Sequence, residues 1–258
     1  MPMAGPAEAA IGKSGWLRTD RADLWWAGPL VTAIVLLSFV AYATWRAFTG
    51  GKAHNYESGV LLSPFFSPNL GHWFNLPLWL SPAMLILPFP GGFRFTCYYY
   101  RKAYYRSIWQ DPPGCGVGEP RKHYWGERVG PLLLQNSHRF FMYAAVIFLF
   151  FLWHDVWKAL WPGDKFGVTV GTLVLGLNTT LLTLYTFSCH SLRHIIGGKL
   201  DCFSCPASNM PRYKAWSGLT KLNEHHMFWA WTSLFGVMFA DFYVMMVASG
   251  TWKNFQLL

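Results

Sequence analysis

Apolar residues fill this chain in long unbroken blocks, unlike the one-sided stripe of a soluble helix or the alternation of a half-buried strand. The clearest block runs without a charge from Val168 to Phe187, then gives way to Ser188-Cys189-His190-Ser191-Leu192-Arg193-His194 and to Gly197-Gly198. A helix of roughly 20 residues crosses a hydrocarbon layer of about 30 Å, so this block predicts a span that delivers imidazoles and a thiol at one membrane face. Comparable blocks run from Leu24 to about Phe48, from about His138 to Val156 and from about His225 to Val247. The first opens on the interfacial pair Trp25-Trp26 and closes on Trp45-Arg46, as expected of anchors at the headgroup level. A further apolar stretch starts near Leu76 but contains Pro77, Pro82, Pro88 and Pro90, then Gly91-Gly92. Each proline removes a backbone hydrogen bond, so this span must bend. The pattern predicts an all-α polytopic bundle of five transmembrane helices over residues 24–258, preceded by a short tail, residues 1–23.

Charge orients the bundle. The tail and the segments 101–139 and 193–221 carry fifteen Lys and Arg residues, against five in the intervening loops and at the C-terminal end. The positive-inside rule then places the N-terminus in the cytoplasm of a plasma-membrane protein. The composition agrees: 53% of residues are hydrophobic, 19% aromatic and only 13% charged, where a soluble domain has about 25% charged. The first 24 residues include Glu8, Asp20 and Asp23 and no short apolar core with a cleavage site, so the N-terminus is expected to be retained. The net charge of +9 could point to nucleic acid, but its basic residues are interleaved with spans, and membrane orientation explains them.

With this topology all five cysteines, at 97, 115, 189, 202 and 205, and six of nine histidines, at 123, 138, 190, 194, 225 and 226, gather at the cytoplasmic end. Taken singly, each is more often a packed small side chain or an interfacial ring. Together in a reducing compartment they suggest ligands rather than disulfides. A b-type haem would need facing imidazoles, available from His138, His190 or His194, and His225 or His226. A second, outer haem would have only His54, His72 and His154. A zinc protease would need Glu after the first His of the pair, and Ser191 follows His190 instead. A Rieske-type cluster, with two Cys on one iron and two His on the other, uses both residue types. The spacing favours His190 and His194, four apart on one helix face; Cys97, at the inner end of the broken span, and Cys115, on the stiff Pro112-Pro113-Gly114 turn, are the favoured thiol ligands. Cys189 projects about 100° from His190 on a continuous helix and reads as packing, and Cys202-Phe-Ser-Cys205 is a generic spacing in a polar loop. Arg94 lies within a span, where charge is costly and usually faces a cavity or partner. With Tyr98, Arg101, Tyr105, His138, Arg139 and His226 it forms the candidate quinone-binding set, an aromatic pocket with a few hydrogen-bonding groups. Asp241, deep in the last span toward the outer side, reads as a structural hydrogen-bonding group. Arg94, Asp241 and the broken span would also suit a transporter, but no repeat symmetry accompanies them.

At Cys97-Tyr-Tyr-Tyr-Arg-Lys-Ala-Tyr-Tyr-Arg106, Pro112-Pro-Gly-Cys115, Asn136-Ser-His-Arg139, Cys189-His-Ser-Leu-Arg-His194 and Leu222-Asn-Glu-His-His-Met-Phe-Trp-Ala-Trp231 the chain resembles the single membrane anchor of actinobacterial-type succinate dehydrogenase, respiratory complex II. The resemblance implies a five-span anchor beneath a flavoprotein and an iron–sulfur subunit, passing electrons from succinate to quinone. In that class, type F, an embedded Rieske-type [2Fe–2S] cluster stands in place of haem. On this reading, substituting Ala at both His190 and His194 abolishes succinate:quinone activity and spares dye reduction by the soluble part.

Overall fold

A computed structural model describes residues 15–74, 76–77, 79–121, 130, 132–198, 200 and 210–258. Its helices are α1 (Ala27–Ala53), α2 (Leu70–Trp73), α3 (Pro82–Ile86), α4 (Pro88–Thr96), α5 (Tyr98–Tyr104), α6 (His138–Ala159), α7 (Val170–Phe187), α8 (His190–Gly197), α9 (Met210–Glu224) and α10 (His226–Ala248). A two-stranded hairpin pairs β1 (Glu57–Ser58) with β2 (Leu61–Leu62), and Gly59 makes its turn at φ +58°. Two compact units result: Met1–Phe39 with Tyr98–Leu134, and Val40–Cys97 with Gln135–Leu258.

Among the described residues four helices are long and apolar enough to cross a membrane: residues 27–51, 133–159, 170–187 and 226–248. These are the first, third, fourth and fifth predicted spans. The second is not one helix. Pro82 and Pro88 each begin a short helix, because proline tolerates a first turn where its missing N–H has no partner to lose. The pair α3 and α4 covers residues 82–96, about 22 Å at 1.5 Å per residue, so neither qualifies as a spanning helix.

The second unit is built on α10, which packs on α7, while α7 packs on α6 and α6 on α4. At one end of these helices Leu61, Val156, Ala159, Leu175, Tyr243 and Val244 form a buried cluster. There α7 starts on a reciprocal cap: the Thr169 hydroxyl accepts from the Thr172 N–H at 3.1 Å, and the Thr172 hydroxyl accepts from the Thr169 N–H at 3.4 Å. Arg46, expected as an interfacial anchor, is fully buried at this end and pairs with Asp241 at 2.7 Å. Sequence spacing carries no sign of a partner so far along the chain.

In the first unit the tail joins the loop after α5. Leu17 N–H donates to the Gly118 carbonyl at 3.0 Å, and Gly118 N–H returns to Arg18 at 2.8 Å. Arg21 reaches the Cys115 carbonyl at 3.1 Å, and the Cys115 side chain is exposed.

Candidate metal centre at the helix ends

Four chain segments of the second unit end or begin at the face opposite the Asp241 cluster. Cys97 follows α4 and Cys189 follows α7, each in extended conformation, with ψ of 133° and 135°. His138 is the first residue of α6, and His226 the first of α10. Their side chains meet as two thiol–imidazole pairs: Cys97 Sγ lies 3.4 Å from His226 Nε2, and Cys189 Sγ lies 3.1 Å from His138 Nε2. Cys97, Cys189 and His226 are buried, and His138 is half-buried. Among the described residues no three His, Cys, Asp or Glu side chains converge as they would on a single metal ion; the four stand as pairs.

The tautomer of both rings follows from their far sides. His138 Nδ1 lies 2.8 Å from Thr96 Oγ1, whose hydroxyl donates its one proton to the Gly92 carbonyl. His226 Nδ1 lies 2.6 Å from Ser188 Oγ, whose hydroxyl likewise donates to the Tyr185 carbonyl. A hydroxyl has one proton and two lone pairs, so each oxygen is left to accept from Nδ1–H. Both Nε2 atoms then carry the lone pair toward a thiol. Such outer hydrogen bonds are what orients metal-binding imidazoles. Stacking fixes the ring planes, with His138 on Phe93 at 5.0 Å between centroids and His226 on Tyr185 at 5.2 Å. Burial pushes the Cys189 thiol up to about 11, so its thiolate requires a cation beside it. If these imidazoles hold a metal, Thr96→Val or Ser188→Ala, by releasing one of them, is expected to weaken its retention by about 10- to 100-fold, measured as iron per purified complex.

The other candidates lie elsewhere. His190 and His194 are exposed, with ring centroids 5.4 Å apart, and partial burial beside His194 and Arg193 lowers the His190 pKa. Cys115 belongs to the first unit. His123, Cys202 and Cys205 lie outside the described residues. Arg94 is buried, donating to the Ala230 carbonyl at 3.2 Å and to Ser233 Oγ at 3.0 Å, with its guanidinium 4.7 Å from the Tyr185 ring centroid. Arg139 is exposed. In the first unit Arg101 lies over the Tyr98 ring at 5.1 Å, and Tyr105 packs on Tyr104 and Trp109.

Of the four residues that meet here, only Cys97 is among the cluster ligands that the sequence favours, and Cys189 illustrates why. An angle of about 100° from His190 holds only on an unbroken helix, and the helix breaks at Cys189 itself. The usable signal is positional: a hydroxyl residue then Cys closes two apolar blocks, at Thr96-Cys97 and Ser188-Cys189, while His138 and His226 open two others.

Residues 27–250 match the family model described as actinobacterial succinate dehydrogenase subunit SdhC. The chain belongs to this family. It is therefore a membrane-anchor subunit of succinate dehydrogenase. A solved chain of the Mycobacterium smegmatis Sdh1 complex in the apo form is 42% identical, with a TM-score of 0.84 over 94% of both chains. No curated protein matches the chain. For an SdhC-family anchor, the thiol–imidazole pairs are the chemistry that the helix ends bring together.

Proposed function

We propose that this chain is the quinone-reducing anchor of a succinate:quinone oxidoreductase, and that Cys97, Cys189, His138 and His226 hold a Rieske-type [2Fe–2S] cluster. The observation that carries this reading is the two thiol–imidazole pairs, with both Nε2 lone pairs left available by the Thr96 and Ser188 hydroxyls. Two thiols and two imidazoles are the donor set of that group, in which two His replace two Cys on one of the irons. When bound, the cluster would supply one-electron transfer.

The chain's own residues do the remaining work. Cys97 and Cys189 lose their protons to become thiolate ligands, while His138 and His226 keep theirs on Nδ1. Arg94, beside Tyr185 and one turn along α10 from His226, puts a fixed positive charge near the negative thiolates. Arg94 and Arg139 are the basic residues of this unit proposed to position a quinone carbonyl. Tyr98, Arg101 and Tyr105 are the corresponding candidates of the first unit. His138 and His226, which the sequence suggests as quinone contacts, serve here as ligands. Succinate oxidation takes place on the flavoprotein partner, and two electrons arrive through the iron–sulfur partner. Quinone takes up those electrons with two protons to give quinol.

The reading includes five crossings with the N-terminus in the cytoplasm of a plasma-membrane protein. Gly51 at the end of α1 faces Ser81, whereas Cys97 meets the start of α10. The segment from Ser81 to Cys97 therefore travels from one end of the bundle to the other, as a short, broken fifth span. The basic residues then gather on the side of Cys97, where the soluble partners dock.

Spectroscopy of the purified complex tests the assignment. A low-average-g signal on reduction, with iron and sulfide beyond the soluble subunits' content, is expected; a Soret band with no such signal would favour a haem on His138 and His226. His190→Ala with His194→Ala is expected to retain the signal, since both rings are exposed. Its loss would move the site to α8.

A further inference from the structure

The short helix α8 carries two imidazoles four residues apart, and the thiol–imidazole pairs use neither. His190 and His194 are both exposed, and their ring centroids lie 5.4 Å apart, one ring edge-on to the other. We propose that His190 and His194 form a separate metal site, which takes one divalent transition-metal ion of the zinc and copper class.

Helical spacing brings residues four apart together, and the separation of these rings suits one shared ion. At a Zn–N distance of about 2.0–2.1 Å, an ion stands about 3 Å from each ring centre, and a tetrahedral angle between the two nitrogens then sets the centroids about 5 Å apart. Turning one exposed ring about its Cβ–Cγ bond brings both nitrogens onto the ion. Water fills the other two tetrahedral positions.

The backbone beneath the rings is already fixed. At the start of α8 the Arg193 N–H donates to the Cys189 carbonyl at 3.1 Å, and at its end the Gly198 N–H donates to the His194 carbonyl at 2.7 Å. Helix α9 clamps the other side: Arg212 donates to the Ile196 carbonyl at 2.5 Å and to the Gly198 carbonyl. A Cβ at Gly197 would stand 2.2 Å from the Trp216 ring, so glycine there is what lets the indole close on α8. Arg193 is engaged with α9 as well, its guanidinium 4.9 Å from the Trp216 ring centroid and its Nε donating to Thr220 Oγ1 at 2.8 Å. Its charge weakens the site without occupying it.

Ligand chemistry selects the ion. Imidazole suits Zn²⁺, Cu²⁺ and Ni²⁺, whereas Mg²⁺ and Ca²⁺ take oxygen ligands. α8 carries no Asp or Glu, so the hard ions find no carboxylate on it, and Cu²⁺ should bind more tightly than Zn²⁺. The site goes beyond the proposed cluster and uses none of the four residues assigned to it.

The test is equilibrium dialysis of the intact, chelator-washed complex against radioactive Zn²⁺, with iron content and the low-average-g signal followed in the same samples. The parent is expected to hold about one more zinc ion per complex than His190→Ala or His194→Ala, each variant losing about tenfold or more in affinity at that site. Ile195→Ala, exposed on the same helix, should bind zinc as the parent does. Excess Cu²⁺ should displace the ion and excess Mg²⁺ should not. Succinate:dye turnover verifies assembly of each variant. Equal zinc in the parent and both histidine variants, or displacement by Mg²⁺, overturns the site. Zinc that is lost instead from Cys97→Ala with Cys189→Ala, and that drives iron out of the parent, belongs to the thiol–imidazole pairs and overturns it too. A low-g signal missing from every sample counts against the cluster alone, because zinc at α8 is read independently of it.

Discussion

Succinate:quinone turnover is expected to fall by more than about 100-fold when Ala replaces His138 and His226, while succinate-driven dye reduction stays at the parent rate. The magnitude follows from ligand chemistry. Loss of an outer hydrogen bond to a metal-bound imidazole already costs about 10- to 100-fold, and removing two of the proposed ligands should cost more. Cys97→Ala with Cys189→Ala should give the same phenotype from the other half of the donor set. The two double variants perturb packing differently: His226 stacks on Tyr185, whereas Cys189 sits behind the break after α7. A shared loss of iron and of the low-g signal, with a retained elution volume and dye activity, therefore points to a shared cofactor and not to collapse of either helix contact. If both variants reduce quinone at the parent rate, these four residues have no part in electron transfer.

The membrane class of the fold is legible because lipid leaves so few solutions: a backbone in hydrocarbon must satisfy its own hydrogen bonds, so long apolar blocks become helices. Four blocks meet spanning helices whose ends lie within a few residues of the predicted ones, as at Val170–Phe187 and His226–Ala248. The proline-rich block predicts a bend, and the structure carries this further into two short helices. The site is legible at a coarser level. Gathering Cys and His at one face needs only span counting, and it draws attention to Cys97, His138, His190 and His226. Pairing them requires knowing where each helix stops. Extended residues at Cys97 and Cys189 redirect both thiols, and the i, i+4 geometry that favours His190 and His194 places those rings on the exposed side of a separate short helix. Long-range polar contacts are the least legible, since nothing local to Arg46 announces Asp241.

That last pair carries the largest expected stability effect. Asp241 is fully buried, and its carboxylate accepts from Arg46 Nε at 2.7 Å, Arg46 Nη2 at 3.1 Å, Tyr42 at 2.5 Å and Ser63 at 2.5 Å. Arg46 in turn donates to Asn55 Oδ1 at 2.7 Å. The carboxylate thus ties α10 to α1 and to the turn that leaves β2. Removing one member strands the other charge in a low-dielectric interior, which costs about 3–5 kcal/mol. Asp241→Leu should therefore lower the thermal midpoint of the detergent-purified complex and its yield. Arg46→Met should do much the same, because it leaves a buried carboxylate supported only by the Tyr42 and Ser63 hydroxyls. The double replacement removes both charges at once, and desolvation no longer opposes burial, so it should recover most of the lost stability. Quinone reduction in the rescued variant should match the parent, since Asp241 lies fifteen residues along α10 from His226, about 22 Å of helix rise. A rescued fold with quinone reduction abolished would instead give Asp241 a part in the proton or electron path.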